Sequence, residues 1–151
     1  HFNAGPPATL RGAISSAAKG TFKATLDKTT NIIGYEVSYE GLESDITQAH
    51  IHFGQRSTVG GIVIWLCQTT GTPAPAAVAA STPFCPGARS GKTAGTINAS
   101  QVLAQTAQGI DAGQFDEVLR ALRAGATYAN IHTATFGPGE IRGQIRRDRR
   151  D

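Results

Sequence analysis

The chain has 151 residues, of which 40% are hydrophobic and 17% charged, and its formal net charge is +3. That length fits one domain, and no run approaches the roughly 20 apolar residues of a membrane-spanning helix. The closing RRDRRD carries +2 of the charge, so the rest of the chain is nearly neutral. The sequence has no basic face with interleaved aromatic residues, so we expect no nucleic-acid partner. Eighteen glycines and seven prolines imply many turns and favour strands over long helices.

The chain lacks methionine and begins at His1. We expect this start to follow removal of a signal peptide, with a tag remnant or a truncated start as the alternatives. The protein would then be secreted, or lie in the periplasm or at the cell surface. Residues 1–20 form an extended segment with a weak strand pattern around 8–14 and too little apolar content to fold alone.

Alternating patterns predict a strand in GTFKATLD and another in NIIGYEVSYEGL, joined as a meander. In ITQAHIHFG the alternation places His50 and His52 on one polar face, because successive side chains on a strand point to opposite sides. The next segment, GGIVIWLC, is apolar throughout, which is typical of a central strand covered on both faces. A short strand in KTAGTI follows.

Cys67 and Cys85 are the only cysteines, and they bracket a Pro/Ala/Thr-rich segment. A disulfide is the favoured interpretation, and two unrelated buried thiols are the alternative. A bridge would remove about 3 kcal/mol of unfolded-chain entropy and would place the protein outside the cytosol.

Helical patterns occur only in the second half. The first, NASQVLAQTAQGI, has Asn98 or Ser100 as its N-cap, although Asn98 also begins an N-glycosylation sequon. The second, DAGQFDEVLRALRAG, is amphipathic and ends at Gly125 as its C-cap. We therefore expect one or two short helices beside the strands.

Two strands, TYANIHTA and GEIRGQIR, close the chain as a hairpin. Alternation places polar side chains on one side of each, so three strands carry matching polar faces. The residues on these faces that we single out are His50, His52, His132, Asn130, Glu140 and Arg142.

The order AHIHFGQ…GGIVIWLC, QGIDAGQFDEVLRAL and TYANIHTATFGPGEIRGQI resembles the chordin-type (CHRD) domain family from about Gly20 to Ile145. The cysteine-bracketed loop is similar to that of secreted single-domain members in microbes and fungi. The chain lacks the Glu-Val-Pro-Pro turn usual near the start of such domains, so its first strand is displaced or supplied differently. The resemblance implies an extracellular antiparallel β-sandwich, of the immunoglobulin or superoxide-dismutase kind, and no particular reaction.

We thus predict an N-terminal segment at 1–20 that adds as a strand to a neighbouring subunit, a CHRD-like sandwich at 21–146 and a basic tail at 147–151. The histidines have two interpretations. In the favoured one, His50, His52 and His132 join Asn130, Glu140 and Arg142 in a polar network that braces the sheet. In the other, the three imidazoles bind copper or zinc, in the manner of the His-x-His of copper/zinc superoxide dismutases.

His1 suggests a further copper site, a histidine brace formed by its amine and ring. The sequence shows no catalytic motif, so no enzymatic activity is expected. The favoured function is a non-catalytic extracellular structural or binding module that self-assembles into oligomers or filaments and contacts matrix or glycans. The alternative function is a secreted copper- or zinc-binding protein.

Overall fold

The computed structural model describes residues 2–3 and 12–148. Two antiparallel sheets make up the fold, which confirms the mainly β class. The three-stranded sheet contains, in spatial order, β3 (Lys19–Asp27), β4 (Ile32–Glu40) and β7 (Gly91–Ile97). The four-stranded sheet contains, in spatial order, β6 (Ile62–Cys67), β5 (Ile46–Phe53), β8 (Thr127–Thr133) and β9 (Ile141–Gln144). A separate two-residue ladder pairs β1 (Phe2–Asn3) with β2 (Gly12–Ala13).

The main core lies between the two sheets, as the alternating sequence patterns predict. Val37 of β4 and Ile51 of β5 are 2% and 0% exposed in this core. The hydroxyl of Tyr35 donates a 2.7 Å hydrogen bond to the carbonyl of Leu66 and so ties the sheets together. Apolar packing therefore occupies one face of each sheet, and the histidine side chains of the four-stranded sheet lie on its other face.

Strand β6 differs from its predicted position, because it is buried on both faces but lies at the edge of its sheet. Its outer face holds Trp65, which packs against Ala74 and Val78 in a second, smaller core. Both come from the cysteine-bracketed segment, and Val78 belongs to a short helix, α1 (Ala76–Ala79). A continuous apolar run shows that both faces are covered, but it does not distinguish a neighbouring strand from a covering loop.

Cys67 and Cys85 form a disulfide, as predicted. The segment between them is more ordered than its composition suggests, because the buried side chain of Gln68 organises it. The Gln68 amide donates to the carbonyls of Ala79 and Thr82, at 2.9 and 2.7 Å, and accepts from the backbone N–H of Ala74 at 2.9 Å. One polar side chain thus supplies the order that apolar burial does not.

The amphipathic pattern forms α2 (Phe115–Arg123), with Gly125 at a positive φ of 69° just beyond its end. The other helical pattern forms two 3-10 turns instead of a helix, Ala99–Gln101 and Thr106–Gln108. Asn98 caps the first turn, as predicted. The backbone N–H of Leu103 then donates to the carbonyl of Val63 in β6 at 2.9 Å, so a bond to the sheet replaces the next helical bond.

The predicted N-terminal strand and the histidine brace at His1 lie largely outside the described residues, as does the end of the basic tail. Within the described part of the chain, no helix has the length and apolar character needed to cross a membrane.

Candidate metal centre

Strand pairing brings the three predicted histidines to one face of the four-stranded sheet. His50 lies opposite Asn130 and His52 opposite Tyr128 in the register of β5 with β8, and His132 lies two residues beyond Asn130. Both members of the His-x-His pair therefore meet a strand that begins some seventy-five positions later in the chain. All three histidines are buried, at 0%, 7% and 7% exposure for His50, His52 and His132.

The imidazole nitrogens converge closely enough to share one ion. One nitrogen from each ring lies within 4.8 Å of one nitrogen from each of the others. His50 Nδ1 is 3.1 Å from His132 Nε2, and the ring centroids of His50 and His52 are 5.5 Å apart. Among the described residues, this is the one group of histidine, cysteine or acidic side chains with that spacing.

Two backbone carbonyls orient the rings. The Nδ1–H of His52 donates to the Gly60 carbonyl at 2.9 Å, and that of His132 donates to the Gly137 carbonyl at 2.7 Å. These bonds assign the proton to Nδ1 and leave the lone pair on Nε2 in both rings. The Nδ1–H of His50 then donates to His132 Nε2.

Two imidazole nitrogens of the cluster take no part in this hydrogen-bonding pattern. The Nε2 atoms of His50 and His52 are buried and have no hydrogen-bond partner among the described residues. A buried lone pair without a partner is costly, and a metal ion is one group that would satisfy it. Metal-bound histidines commonly donate their second N–H to a backbone carbonyl, as His52 and His132 do here.

The surroundings keep the rings neutral. Burial lowers the pKa of His50 well below its usual value, and the neighbouring His132 and His52 lower it further. Burial lowers the pKa of His52 to about 4, with His132 and Arg142 contributing and the bond to Gly60 opposing. Burial also lowers the pKa of His132, against the effect of its bond to Gly137. Neutral imidazole is the form that binds metals, so no proton has to be removed at pH 7.

Aromatic rings line the site on two sides. Trp65 meets the edge of His50 with ring centroids 4.2 Å apart, and Tyr128 stacks in parallel on His52 at 4.8 Å. The Arg142 guanidinium lies 3.5 Å over the other face of Tyr128. Trp65 thus contacts His50 and also packs in the smaller core with Ala74 and Val78.

The remaining predicted network residues have other hydrogen-bond partners. The Glu140 carboxylate is fully buried and accepts from the Ser16 hydroxyl and the Glu43 backbone N–H, each at 2.8 Å. The Asn130 amide donates to the Pro138 carbonyl at 3.2 Å, and Arg142 donates to the Thr58 carbonyl at 2.8 Å. These residues hold the loops that surround the histidines.

Sequence reasoning missed Gly60 and Gly137, because a backbone carbonyl acts through its position alone. Gly60 did leave one signal, since it is half of a Gly-Gly pair that follows β5. A Cβ at Gly60 would lie 1.6 Å from the Phe53 carbonyl oxygen, so the loop can approach β5 only without a side chain there.

The donor set suits a first-row metal ion. Three imidazole nitrogens are common ligands of both zinc and copper, and His52 and His132 are already held in the ligating tautomer. His50 would exchange its bond to His132 for a bond to the ion, and one of its ring nitrogens already lies within reach.

Comparison with known proteins identifies the family. Comparison with curated protein sequences gives no match, and neither does comparison with solved structures. The CHRD domain family matches residues 6–145, nearly the whole chain. This match and the two antiparallel sheets agree with the resemblance found in the sequence, and the chain belongs to the CHRD domain family.

Proposed function

We propose that this protein is an extracellular CHRD module that binds one copper or zinc ion through His50, His52 and His132. CHRD domains are extracellular binding or structural modules, and this proposal adds a ligand to that role. The observation that carries the proposal is the convergence of three buried imidazoles, two of which have an Nε2 atom without a partner among the residues that the structure describes. In this proposal the domain binds its ion and does not catalyse a reaction.

The bracing interpretation explains these observations less well. A network that served only stability would satisfy its buried nitrogens, and the Nε2 atoms of His50 and His52 have no partner within residues 2–3 and 12–148. The hydrogen bonds to Gly60 and Gly137 fix the tautomers of His52 and His132, and one nitrogen from each of the three rings lies within 4.8 Å of the others. Orientation of that kind is what a metal site requires.

The test uses the single tryptophan as a reporter. Trp65 touches the His50 ring, so titration of untagged, chelator-treated protein with Cu(II) is expected to quench its fluorescence. Metal analysis after gel filtration is expected to give about one ion per chain. The His50→Ala/His52→Ala variant should lose that ion, and His132→Gln, which keeps most of the side-chain volume, should lose it as well.

His1→Ala provides the matched control. It removes the remaining histidine and the alternative copper brace, and we expect it to bind the ion as the unchanged chain does. Equal metal content in all four proteins, or none in the unchanged chain, would rule out the centre. Thermal unfolding of each variant establishes that the comparison is between folded proteins.

A second candidate function is self-assembly, and a groove in the structure favours it. β3 and β9 are edge strands of the two sheets, and between them lies a cavity of about 830 Å³. Its apolar lining includes Phe22, Val37, Leu66, Ile131 and Ile141. We propose that the short β1–β2 ladder opens and that residues 1–13 of a second copy then add as a strand along this groove, because edge strands are templates for strand addition.

Truncation tests the assembly. A chain that begins at Ser15 lacks residues 1–13, which form the proposed added strand, but it retains Ser16, whose hydroxyl donates to the buried Glu140 carboxylate. Sedimentation and electron microscopy are expected to show oligomers or filaments for the full chain and monomers for the truncated one. The same particle size for the full and the truncated chain would show that residues 1–13 take no part in assembly.

A further inference from the structure

The candidate centre offers an ion only neutral ligands. Among the described residues, the group that converges there contains three histidines and no aspartate, glutamate or cysteine. The buried carboxylate that we predicted for the polar network, Glu140, lies outside this group; its Oε1 accepts from Ser16 and Glu43, and its Oε2 has no partner among the described residues. A bound ion would therefore keep its full charge, whereas zinc sites with carboxylate or thiolate ligands neutralise much of it.

Burial makes that charge expensive. The three histidines are at most 7% exposed, and the rings of Trp65 and Tyr128 line their surroundings. The solvation energy that an ion loses on burial grows with the square of its charge, so a dication loses about four times as much as a monocation of equal size. The ligand set also supplies three donors, while zinc sites generally complete four.

A fixed positive charge adds to the same effect. The Arg142 guanidinium lies 3.5 Å over Tyr128, whose other face stacks on His52. Arg142 is thus separated from a metal ligand by one aromatic ring. At an effective dielectric constant of about 20, a unit positive charge roughly 8 Å from the ion lowers the binding constant by roughly tenfold or more for each further unit of positive charge on the ion.

We propose that the His50/His52/His132 centre is selective for Cu(I) over Zn(II) and Cu(II), and that the guanidinium of Arg142 sets part of this selectivity. The inference rests on the proposed metal-binding function and adds the identity and valence of the ion. Arg142 is a positioning residue here, since it acts through Tyr128 and not as a ligand.

The experiment compares affinities for the three ions. Untagged full-length protein is titrated without oxygen against a chromophoric Cu(I) chelator, and in parallel against chelators for Zn(II) and Cu(II). We expect Cu(I) to bind at least a hundredfold more tightly than either dication. X-ray absorption at the copper edge is expected to show Cu(I) with three nitrogen neighbours.

Two variants test the role of charge. Arg142→Gln removes the positive charge and is expected to narrow the preference for Cu(I) over Zn(II) by about tenfold. Arg142→Lys keeps the charge but loses the planar contact with Tyr128, and it is expected to retain most of the preference. If Arg142→Gln and Arg142→Lys show the same preference for Cu(I) over Zn(II), the charge at this position does not set the selectivity.

The possible results separate this inference from the proposed function. Binding of Zn(II) or Cu(II) as tight as that of Cu(I) would overturn the selectivity and leave the metal centre standing. Absence of binding for all three ions would overturn the centre itself, and the selectivity with it.

Discussion

The two faces of the four-stranded sheet are built from the same strands and behave differently. On the inner face, Ala49 and Ile51 of β5 pack against the other sheet with no exposed surface. On the outer face, His50 and His52 of the same strand are also buried, at 0% and 7% exposure, but each has one nitrogen with no partner in the described part of the chain. Burial alone therefore does not distinguish a structural face from a functional one. Among the described residues, the inner face also contains one buried hydroxyl without a partner, that of Thr127, whereas the outer face has two such atoms on neighbouring imidazole rings that can bind a metal.

The largest expected effect comes from the inner face. Ile51→Ala removes a fully buried side chain from the main core, and it should lower the free energy of unfolding by about 4 kcal/mol. Chemical denaturation measures this change. Metal stoichiometry of the folded variant is expected to stay at that of the unchanged chain, and a lost ion would mean that the two faces are not independent.

Acidification is expected to act on the outer face. The pKa of His52 is about 4 in the folded chain and about 6.5 in the unfolded one, so below pH 6.5 the unfolded state binds more protons. Stability of the metal-free protein should fall as the pH drops from 6.5 to about 4, by about 3 kcal/mol from His52 alone. Its stability should then change little on further acidification through this group.

Denaturation curves across this pH range provide the measurement. His52→Asn removes the titrating ring and should reduce the slope, whereas Ile51→Ala should lower the curve without changing its slope. A stability that stays flat between pH 7 and 4.5 would mean that the histidines protonate without cost in the folded state.

The smallest effect concerns the carbonyls that orient the rings. Gly60 and Gly137 each accept an Nδ1–H from a histidine, but a Cβ meets the Phe53 carbonyl at Gly60 and nothing within 4 Å at Gly137. Gly60→Ala should displace its carbonyl and weaken metal binding by about 10 to 100-fold, as loss of an orienting partner does. Gly137→Ala should leave the metal affinity within about twofold of the unchanged chain in the same titration. This variant is the matched control, because it changes the other glycine whose carbonyl orients a histidine. Equal losses in both variants would show that the carbonyl at Gly60 has no special role.

The sequence predicted much of this arrangement because period-two alternation is local. It places His50 and His52 on one side of β5 and His132 with Tyr128 on one side of β8, and only the pairing of the two strands had to be assumed. It also predicted the disulfide and the helix at Phe115–Arg123, each of which has a short-range signal.

The parts that sequence could not predict depend on contacts between distant backbone segments. Gly60 and Gly137 accept through carbonyls, which every residue possesses, so these hydrogen bonds leave no mark in residue type; the Gly-Gly pair at Gly60 indicates a close backbone approach but not a bond to a histidine. Glu140 pairs with Ser16, 124 positions away, and nothing in either local pattern indicates that contact. The edge position of β6 was hidden because a covering loop and a neighbouring strand produce the same apolar run.

The cysteine bridge has a consequence for the histidines that follows from where its loop packs. Ala74 and Val78, inside the bridged segment, hold Trp65, and Trp65 in turn touches His50. Reduction would remove one of the restraints on that segment, leaving the hydrogen bonds of Gln68, and would loosen one wall of the histidine cluster. Under the proposed metal-binding function, affinity for the ion would then rise as the thiols oxidise, which would couple loading of the ion to the redox conditions under which the chain matures.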